Sequence, residues 1–369
     1  MRRIAISMAA STMTLSLAGC GMLNATGDGD ASASPTAGDD VKVGLLLPET
    51  ANTRYDKFDY PIIRDKVAEL THKKGKVQYA NANADAARQA DQMQQMINDK
   101  VDVILLDAVD SHAVAEQVQK AKDAGIPVIA YDRLAEGPIS AYISFDNDLV
   151  GEVQARSLLA GMGPDRAASD KIVMMNGSPT DPNAKQFKEG ALSELDGKVQ
   201  IAASYDTKEW KPEIAQAYMA QAISQIGKDN IAGVLAANDG VAGGVIKALK
   251  AAGVTHLPPI TGQDSELDAV QRVLDGEQYM SVYKPYPDEA EAAAQIAVAK
   301  VQGRDMQFDA LTQDKVDSPT IKNIPSKLVQ VNALTKSKIE ETVIADGIYT
   351  VDEICTAKYK ADCAAIGLK

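Results

Sequence analysis

Small clusters of polar side chains follow five apolar runs of strand type along this 369-residue chain. The runs VDVILLD, IPVIAYDR, KIVMMNGSPTDPNAK, IAGVLAAND and PPITGQD lead into Asp107, Asp132 with Arg133, Asp181 with Asn183, Asn238 with Asp239, and Asp264. Carboxylates accept hydrogen bonds from hydroxyl groups, amides both donate and accept, and guanidinium groups donate. Gathered in one place, these groups would suit a neutral molecule that carries many hydroxyl groups.

The elements that must position these clusters alternate between strand and helix. Runs this apolar are typical of strands buried on both faces, as in a parallel sheet covered by helices. Ligands of such sheets bind beyond the carboxyl ends of the strands, where the polar clusters lie. The alternation starts again after residue 146, and about 310 residues exceed one hydrophobic core. We therefore predict an α/β protein of two doubly wound parallel-sheet lobes joined by a three-segment hinge, with the site in the cleft between them.

The domain boundaries follow from this alternation. We assign residues 41–147 and 287–322 to the N-terminal lobe, residues 148–286 and 323–347 to the C-terminal lobe, and residues 348–369 to a tail. The chain would then cross between the lobes near residues 144–149, 283–288 and 318–327. Three crossings suit a hinge that closes on a ligand.

The first 40 residues indicate export and anchoring. Residues 1–20 begin with Arg2 and Arg3, continue with a short apolar stretch and end in Leu-Ala-Gly-Cys, the pattern of a signal peptide. That ending resembles the bacterial lipoprotein box, in which the cysteine, here Cys20, carries a lipid; an ordinary signal with a chance cysteine is the alternative. Residues 21–40 are small and polar, as in a flexible tether. We expect a soluble domain held beside a membrane.

Two further cysteines lie in the C-terminal segment. Cys355 and Cys363 are eight positions apart. Outside the cytoplasm such a pair most simply forms a disulfide, which would pin the tail. A metal site is the alternative, but no histidine lies nearby and two thiolates are too few ligands.

Charge and motif content argue against nucleic-acid binding and against catalysis. The net charge of −13 disfavours nucleic acid and anionic lipid surfaces. The sequence contains no nucleophile elbow, P-loop, zinc-protease, dinucleotide or calcium-loop motif, and its three histidines form no cluster. We therefore expect no enzyme activity, no metal and no cofactor. A glycoside-processing enzyme with two carboxylates across the cleft is a remote alternative.

Several polar positions have both a binding and a structural interpretation. Trp210 is the only tryptophan and lies in the polar stretch DTKEWKPE, which favours stacking on a ligand over packing in a core. Asn238 is assigned to the site in preference to Asp239, which we expect to cap the helix that begins at Gly240. Asp107 is interpreted as a helix cap or an edge residue and is not assigned to the site.

From residue 41 to about residue 350 the chain resembles the periplasmic sugar-binding proteins of bacterial ABC importers. The similarity is closest to xylose-binding proteins, followed by the multi-sugar aldose receptors. It rests on the order and spacing of AYDRL, YISFDN, NGSPTDPNAKQF, KEWKPEIA, AANDGVAGGVIKAL, TGQDSELDAVQRVLDGEQYMSVYKPY and KNIPSKLV. It implies the type I periplasmic-binding fold. The LacI-type repressors share this fold but begin with a helix-turn-helix, where this chain has its signal and tether.

The resemblance also implies a set of ligand residues. These are Arg54, Tyr55, Asp132, Arg133, Asp181, Asn183, Trp210, Asn238, Asp264 and Lys284. Trp210 would stack on the sugar, and Asp264 would pair with Lys284, since buried charges need partners. Asp132 with Arg133 is assigned to the site over a surface ion pair, and Asp181 is either a ligand contact or a turn residue. Two positions depart from the pattern: Tyr55 stands where xylose-binding proteins usually have tryptophan, and Pro182 where asparagine is frequent.

The implied function is that of a lipid-anchored, extracytoplasmic solute-binding component of an ABC sugar importer. Its ligand would be a monosaccharide, D-xylose or a similar aldopyranose, held in the cleft between the lobes. Its partner would be an ABC permease, and we expect a monomer. The alternative is a receptor for glucose, galactose or arabinose that reports to a membrane sensor.

Overall fold

The computed structural model describes residues 38–368. Its strands are β1 (Lys42–Leu47), β2 (Lys76–Asn81), β3 (Val103–Leu106), β4 (Val128–Tyr131), β5 (Ala141–Phe145), β6 (Lys171–Asn176), β7 (Gln200–Asp206), β8 (Ile231–Ala236), β9 (Ser281–Tyr283), β10 (Asp314–Val316), β11 (Ile324–Val329) and β12 (Asn332–Leu334). Its helices are α1 (Tyr60–Leu70), α2 (Ala86–Asn98), α3 (Ala115–Asp123), α4 (Asn147–Met162), α5 (Pro182–Leu195), α6 (Pro212–Ile226), α7 (Asp239–Ala251), α8 (Leu267–Asp275), α9 (Tyr286–Val301), α10 (Asp305–Leu311), α11 (Val351–Ile354) and α12 (Lys360–Ala365). The predicted signal peptide with Cys20, and residues 21–37 of the predicted tether, lie outside this range. Over residues 38–368 no helix has the length and apolar character needed to cross a membrane.

The first lobe is built on a seven-stranded sheet with the order β10-β11-β5-β4-β3-β1-β2. Its strands are parallel except β10, which pairs antiparallel with β11. Helices cover both faces: Val43 and Leu45 of β1 pack with α1 and α9, and Leu46 packs on the opposite face with α2 and α3. Every residue of β3 and β4 is buried as a result. The predicted parallel sheet between two layers of helices is confirmed.

The second lobe contains the parallel strands β7-β6-β8 and the antiparallel pair β12-β9. Alternate residues of β6 face opposite ways, so that Val173 packs with α6 and α7 while Met174 packs with α4 and α5. The segment PPITGQD was expected to be a strand but makes only single bridges, from Ile260 to β8 and from Gln263 to β9. Its two prolines have no N–H groups to donate to a ladder.

The chain crosses between the lobes three times. Two crossings, between β5 and α4 and between β9 and α9, fall in the predicted regions. The third follows β11, because residues 326–329 pair in parallel with residues 142–145 of β5. Assigning residues 324–329 to the C-terminal lobe is therefore wrong: their backbone hydrogen bonds complete the first sheet, and the chain crosses between β11 and β12.

The C-terminal tail is pinned to the second lobe. A disulfide joins Cys355 to Cys363, with the Cα atoms 5.9 Å apart. It links α11 to α12, and the buried side chains of Ile354, Tyr359 and Leu368 belong to the core of the second lobe. The tail thus completes a hydrophobic surface that would otherwise face solvent.

Candidate functional site

A cavity lies where the carboxyl ends of strands from both lobes converge. Its lining includes all ten residues that the sequence predicts as ligand contacts: Arg54, Tyr55, Asp132, Arg133, Asp181, Asn183, Trp210, Asn238, Asp264 and Lys284. Three further residues line it: Asn52, Phe187 and Gln263. Of these, Gln263 could have been inferred, because it precedes Asp264 in the same polar cluster.

The backbone is strained at three residues of the cavity wall. Asp132, Trp210 and Asp264 have φ angles of 57°, 57° and 93°, in the left-handed region that side chains other than glycine rarely adopt. Hydrogen bonds anchor two of them, since the N–H of Asp132 donates to Ile143 O at 2.8 Å and that of Asp264 to Val282 O at 3.0 Å. Strained residues cluster at functional sites, where the surrounding structure holds them in place.

Arg54 forms the centre of one charged cluster at the first-lobe side of the cavity. Its guanidinium donates to Asp59 and Asp132, each at 2.8 Å, and to Glu289. It also lies over the ring of Tyr286, 4.6 Å from the centroid. Neither Asp59 nor Glu289 was assigned to the site, and Glu289 reaches it only because α9 packs against the first sheet. All three carboxylates are buried, so Arg54 is their shared counter-charge.

Asp132 is held as an ionised acceptor. Burial by itself raises the pKa of this carboxyl, but Lys284, Arg54, Arg133 and a hydrogen bond from Asn183 together bring it below the ordinary value. An ionised carboxylate only accepts hydrogen bonds, which suits it to the hydroxyl groups of a ligand.

Arg133 forms the centre of a second charged cluster. Its Nε lies 2.8 Å from Asp181 and 3.4 Å from Asp107, and one of its terminal nitrogens lies 3.6 Å from Glu49. The interpretation of Asp107 as a helix cap or edge residue is wrong. Its side chain is fully buried behind Arg133, at the end of the strand formed by VDVILLD.

The second lobe contributes a third charged group, which is an ion pair between Lys284 and Asp264. Lys284 Nζ lies 3.2 Å from Asp264 Oδ1, as expected. Asn238 Nδ2 donates to the other oxygen of Asp264 at 3.4 Å, and Asn238 Oδ1 accepts from the N–H of Val241, which caps α7. The expectation that Asp239 is the cap is therefore wrong: its carboxylate instead accepts from side chains of the β9 region.

Trp210 presents a buried ring at the cavity wall. Its indole N–H donates to Asp181 Oδ2 at 3.1 Å, and Phe187 contacts it edge-on with ring centroids 6.4 Å apart. The ring fits because residue 177 is glycine: a Cβ at Gly177 would lie 2.0 Å from the ring carbon Cη2. Tyr55, on the first-lobe side, accepts from Arg133 through its hydroxyl at 3.4 Å.

Direct hydrogen bonds cross the cavity from lobe to lobe. Asn183 Nδ2 donates to Asp132 Oδ1 at 2.6 Å, and Asn238 Nδ2 donates to Asn52 Oδ1 at 2.8 Å. With the ion pair between Arg133 and Asp181, these contacts define a closed cleft. Within the part of the chain that the structure describes, the amide oxygens of Asn183 and Gln263 are buried without a hydrogen-bond partner, so both can accept from a ligand.

The carboxylates around the cavity are not arranged as metal ligands. Between residues 38 and 368 no group of three or more His, Cys, Asp or Glu side chains is placed to hold a metal ion. The arrangement is instead three cations, each paired with carboxylates, and a set of amides between them. Such a wall can recognise hydroxyl groups by fixed donors and acceptors.

We expect the Asp107→Asn variant to gain stability relative to wild type as the pH rises from 5 to 8. Burial raises the pKa of Asp107 well above its ordinary value, against the opposing effect of Arg133. Because the pKa of Asp107 is raised in the folded state, its contribution to the free energy of unfolding is fully present below the unfolded-state pKa of about 4. That contribution is lost, by up to about 1.4 kcal/mol per pH unit, as the pH rises through the folded-state pKa. Asparagine does not titrate.

Denaturant unfolding at several pH values measures this difference. The exposed Asp123, replaced by asparagine, is the matched control, and its unfolding should stay close to that of wild type. Parallel curves for Asp107→Asn and wild type would contradict the assignment of a raised pKa.

Comparison with known proteins places this geometry in a family. A model of the periplasmic binding protein domain matches residues 43–305. The chain is 35% identical over 321 residues to the D-xylose-binding periplasmic protein of Haemophilus influenzae, covering 85% of this chain and 92% of that protein. It is 31% identical over 337 residues to the multiple sugar-binding periplasmic receptor ChvE of Rhizobium radiobacter, covering 86% and 93%.

A solved structure also resembles this chain in its fold. An ABC transporter solute-binding protein from Clostridium phytofermentans, solved with bound β-D-glucose, superposes with a TM-score of 0.74 at 26% identity, over 85% of this chain and 99% of that one. The chain belongs to the periplasmic binding protein family, has its type I fold, and is a binding protein rather than an enzyme.

Proposed function

We propose that this protein is the extracytoplasmic sugar-binding component of an ABC importer and that it holds one monosaccharide in the cavity between its lobes. The observation that carries the proposal is the cavity wall itself. Both lobes contribute fixed hydrogen-bonding groups to it, with a tryptophan ring beside them. A pyranose has a belt of hydroxyl groups and apolar C–H faces, which need donors and acceptors around the edge and an aromatic surface.

The charges of the wall favour a neutral ligand. Arg54, Arg133 and Lys284 are each buried and paired with carboxylates of the protein. The cations are therefore neutralised before a ligand arrives, and an anionic sugar would add an unpaired buried charge.

Individual roles follow from the contacts. Asp132 accepts from hydroxyl groups in its ionised form, and the free amide oxygens of Asn183 and Gln263 accept from two more. Arg133 and Lys284 donate, and Trp210 stacks on a C–H face of the ring. Closure of the lobes on the sugar excludes water from these bonds.

D-xylose is the first ligand to test, since the Haemophilus influenzae relative is a xylose-binding protein by name. The alternative is a broader aldose receptor for glucose, galactose or arabinose that serves a membrane sensor. It is favoured by the similarity to ChvE and by the glucose in the Clostridium phytofermentans structure. D-xylose and D-glucose differ by one hydroxymethyl group, and a group of about that size is worth only about 1–3 kcal/mol in a pocket.

A thermal-shift screen of the purified protein tests this function. A sugar present at 100 times its Kd should stabilise the folded state by about 2.7 kcal/mol. D-xylose, D-glucose, D-galactose and L-arabinose are compared with gluconate and glucose 6-phosphate, which should cause no shift because of their charge. A shift with the anions and none with the neutral sugars would reject the proposal.

We further propose that the protein acts as a monomer, delivers its sugar to an ABC permease and is anchored by a lipid on Cys20. The lipoprotein-like ending of residues 17–20 motivates the anchor, and one acyl-bearing cysteine followed by a polar spacer would hold the domain near a membrane. In the Cys20→Ala variant we expect protein in the medium or an uncleaved signal peptide. Normal processing with unchanged membrane retention would refute the anchor.

A further inference from the structure

We propose that Asp181 is a positioning residue that couples closure of the cleft to the orientation of Trp210, and that it acts on sugar binding through that ring. This inference rests on the proposed function. It replaces the two sequence-based interpretations of Asp181, as a direct ligand contact or as a turn residue, with a third role.

Three donors from three parts of the chain converge on the Asp181 carboxylate. Its Oδ1 accepts from the N–H of Asn183 at 2.9 Å, which caps α5. Its Oδ2 accepts from the indole N–H of Trp210 at 3.1 Å and lies 2.8 Å from Nε of Arg133. The side chain is 4% exposed. Its acceptor positions are therefore largely used by the protein, which leaves it little capacity to bind a sugar hydroxyl directly.

The donors belong to different lobes. Asn183 and Trp210 are in the second lobe, whereas Arg133 follows β4 of the first lobe. Opening of the cleft would separate Arg133 from Asp181 but leave the other two bonds intact. Only in the closed form does the Arg133 guanidinium fix the plane of the Asp181 carboxylate. Because this carboxylate accepts the indole N–H, its plane in turn orients the Trp210 ring.

The Trp210 ring depends on this acceptor because little else holds its polar edge. The ring occupies the space that a side chain at Gly177 would fill. The backbone of Glu209 and Trp210 is left-handed, with φ angles of 56° and 57°. The indole N–H can only donate, and it donates to Asp181. Two other hydrogen bonds join the lobes at the cavity, from Asn183 to Asp132 and from Asn238 to Asn52. Neither of them involves the Trp210 ring.

A double-mutant cycle between Asp181 and Trp210 separates positioning from direct contact. Asp181→Asn keeps the shape of the side chain and an oxygen that can cap α5, but it removes the charge that Arg133 pairs with. Trp210→Phe removes the indole N–H and keeps an aromatic face. Calorimetry measures the affinity of wild type, both single variants and the double variant for D-xylose and D-glucose.

We expect Asp181→Asn to weaken binding about fivefold or more in the wild-type background and less than twofold in the Trp210→Phe background. Asp196→Asn, at the exposed far end of α5, is the matched control and should bind like wild type. Equal losses in the two backgrounds would show that Asp181 acts on binding independently of the indole N–H and would overturn the inference.

Fluorescence gives a second readout, because the chain has a single tryptophan. Acrylamide should quench Trp210 more strongly in Asp181→Asn than in wild type, and the change in emission on adding sugar should be smaller. Identical quenching and identical emission changes would overturn the inference while leaving sugar binding intact. If wild type binds neither these sugars nor any other neutral monosaccharide, the proposed function fails, and the inference fails with it.

Discussion

Replacing Asp132 by alanine is expected to weaken monosaccharide binding by about tenfold to a hundredfold. The carboxylate is buried, and Lys284, Arg54 and Arg133 keep its pKa below the ordinary value despite the opposing effect of burial. Hydrogen bonds that involve a charged group contribute about 1.5–3 kcal/mol each, and about 1.4 kcal/mol corresponds to one decade of affinity. Titration calorimetry of the purified protein measures the loss.

Two further variants show whether the loss of affinity comes from the missing acceptor at residue 132. Asp132→Asn should bind better than Asp132→Ala because an amide oxygen still accepts, but its preference among epimers should change because the amide also donates. Asp123→Ala, an exposed aspartate at the end of α3 in the same lobe, should bind like wild type. Binding by Asp132→Ala within twofold of wild type would show that the site is elsewhere.

Replacing Arg54 by methionine is expected to lower the free energy of unfolding by about 3–5 kcal/mol, because removal of one partner leaves buried charges uncompensated. Asp59, Asp132 and Glu289 all share this guanidinium. Burial raises the pKa of Glu289 to about 8, although Arg54 opposes that rise. Without Arg54 the pKa of Glu289 rises further, so its part of the loss appears as the pH rises through about 8, and the loss should be smaller at pH 5 than at pH 9.

Denaturant unfolding of matched variants tests this cluster. Adding Glu289→Gln to Arg54→Met should restore part of the stability, since one uncompensated carboxylate is removed. Arg64→Met, which removes an exposed arginine paired with Asp65, should unfold like wild type. If Arg54→Met also unfolds like wild type at pH 8, the three carboxylates do not depend on Arg54.

The strand ends of this chain could be predicted from sequence because burial on both faces makes each strand an uninterrupted apolar run. Asp132 and Asn238 stand at the ends of such runs, and parallel strands bring their carboxyl ends to one edge. The family resemblance added Arg54 and Lys284, whose own surroundings in the sequence carry no comparable pattern.

Other features depend on tertiary contacts that a local pattern does not contain. Glu289 lies on an alanine-rich helix and reaches Arg54 only because α9 packs on the first sheet. The strand β11 was assigned to the wrong lobe because an extended segment after a crossing can pair with either sheet. Asp107 was set aside because a carboxylate after a strand so often caps the next helix, and only the position of Arg133 shows otherwise.

Titration calorimetry of wild-type protein with D-xylose, D-glucose, D-galactose and L-arabinose is the most direct test of the central claim. We expect saturable binding of at least one of these sugars with a stoichiometry of about one per chain, because the residues proposed to bind it line one cavity. This binding should be lost or strongly weakened in Asp132→Ala. Absence of binding to every neutral monosaccharide, or binding that Asp132→Ala leaves unchanged, would contradict it.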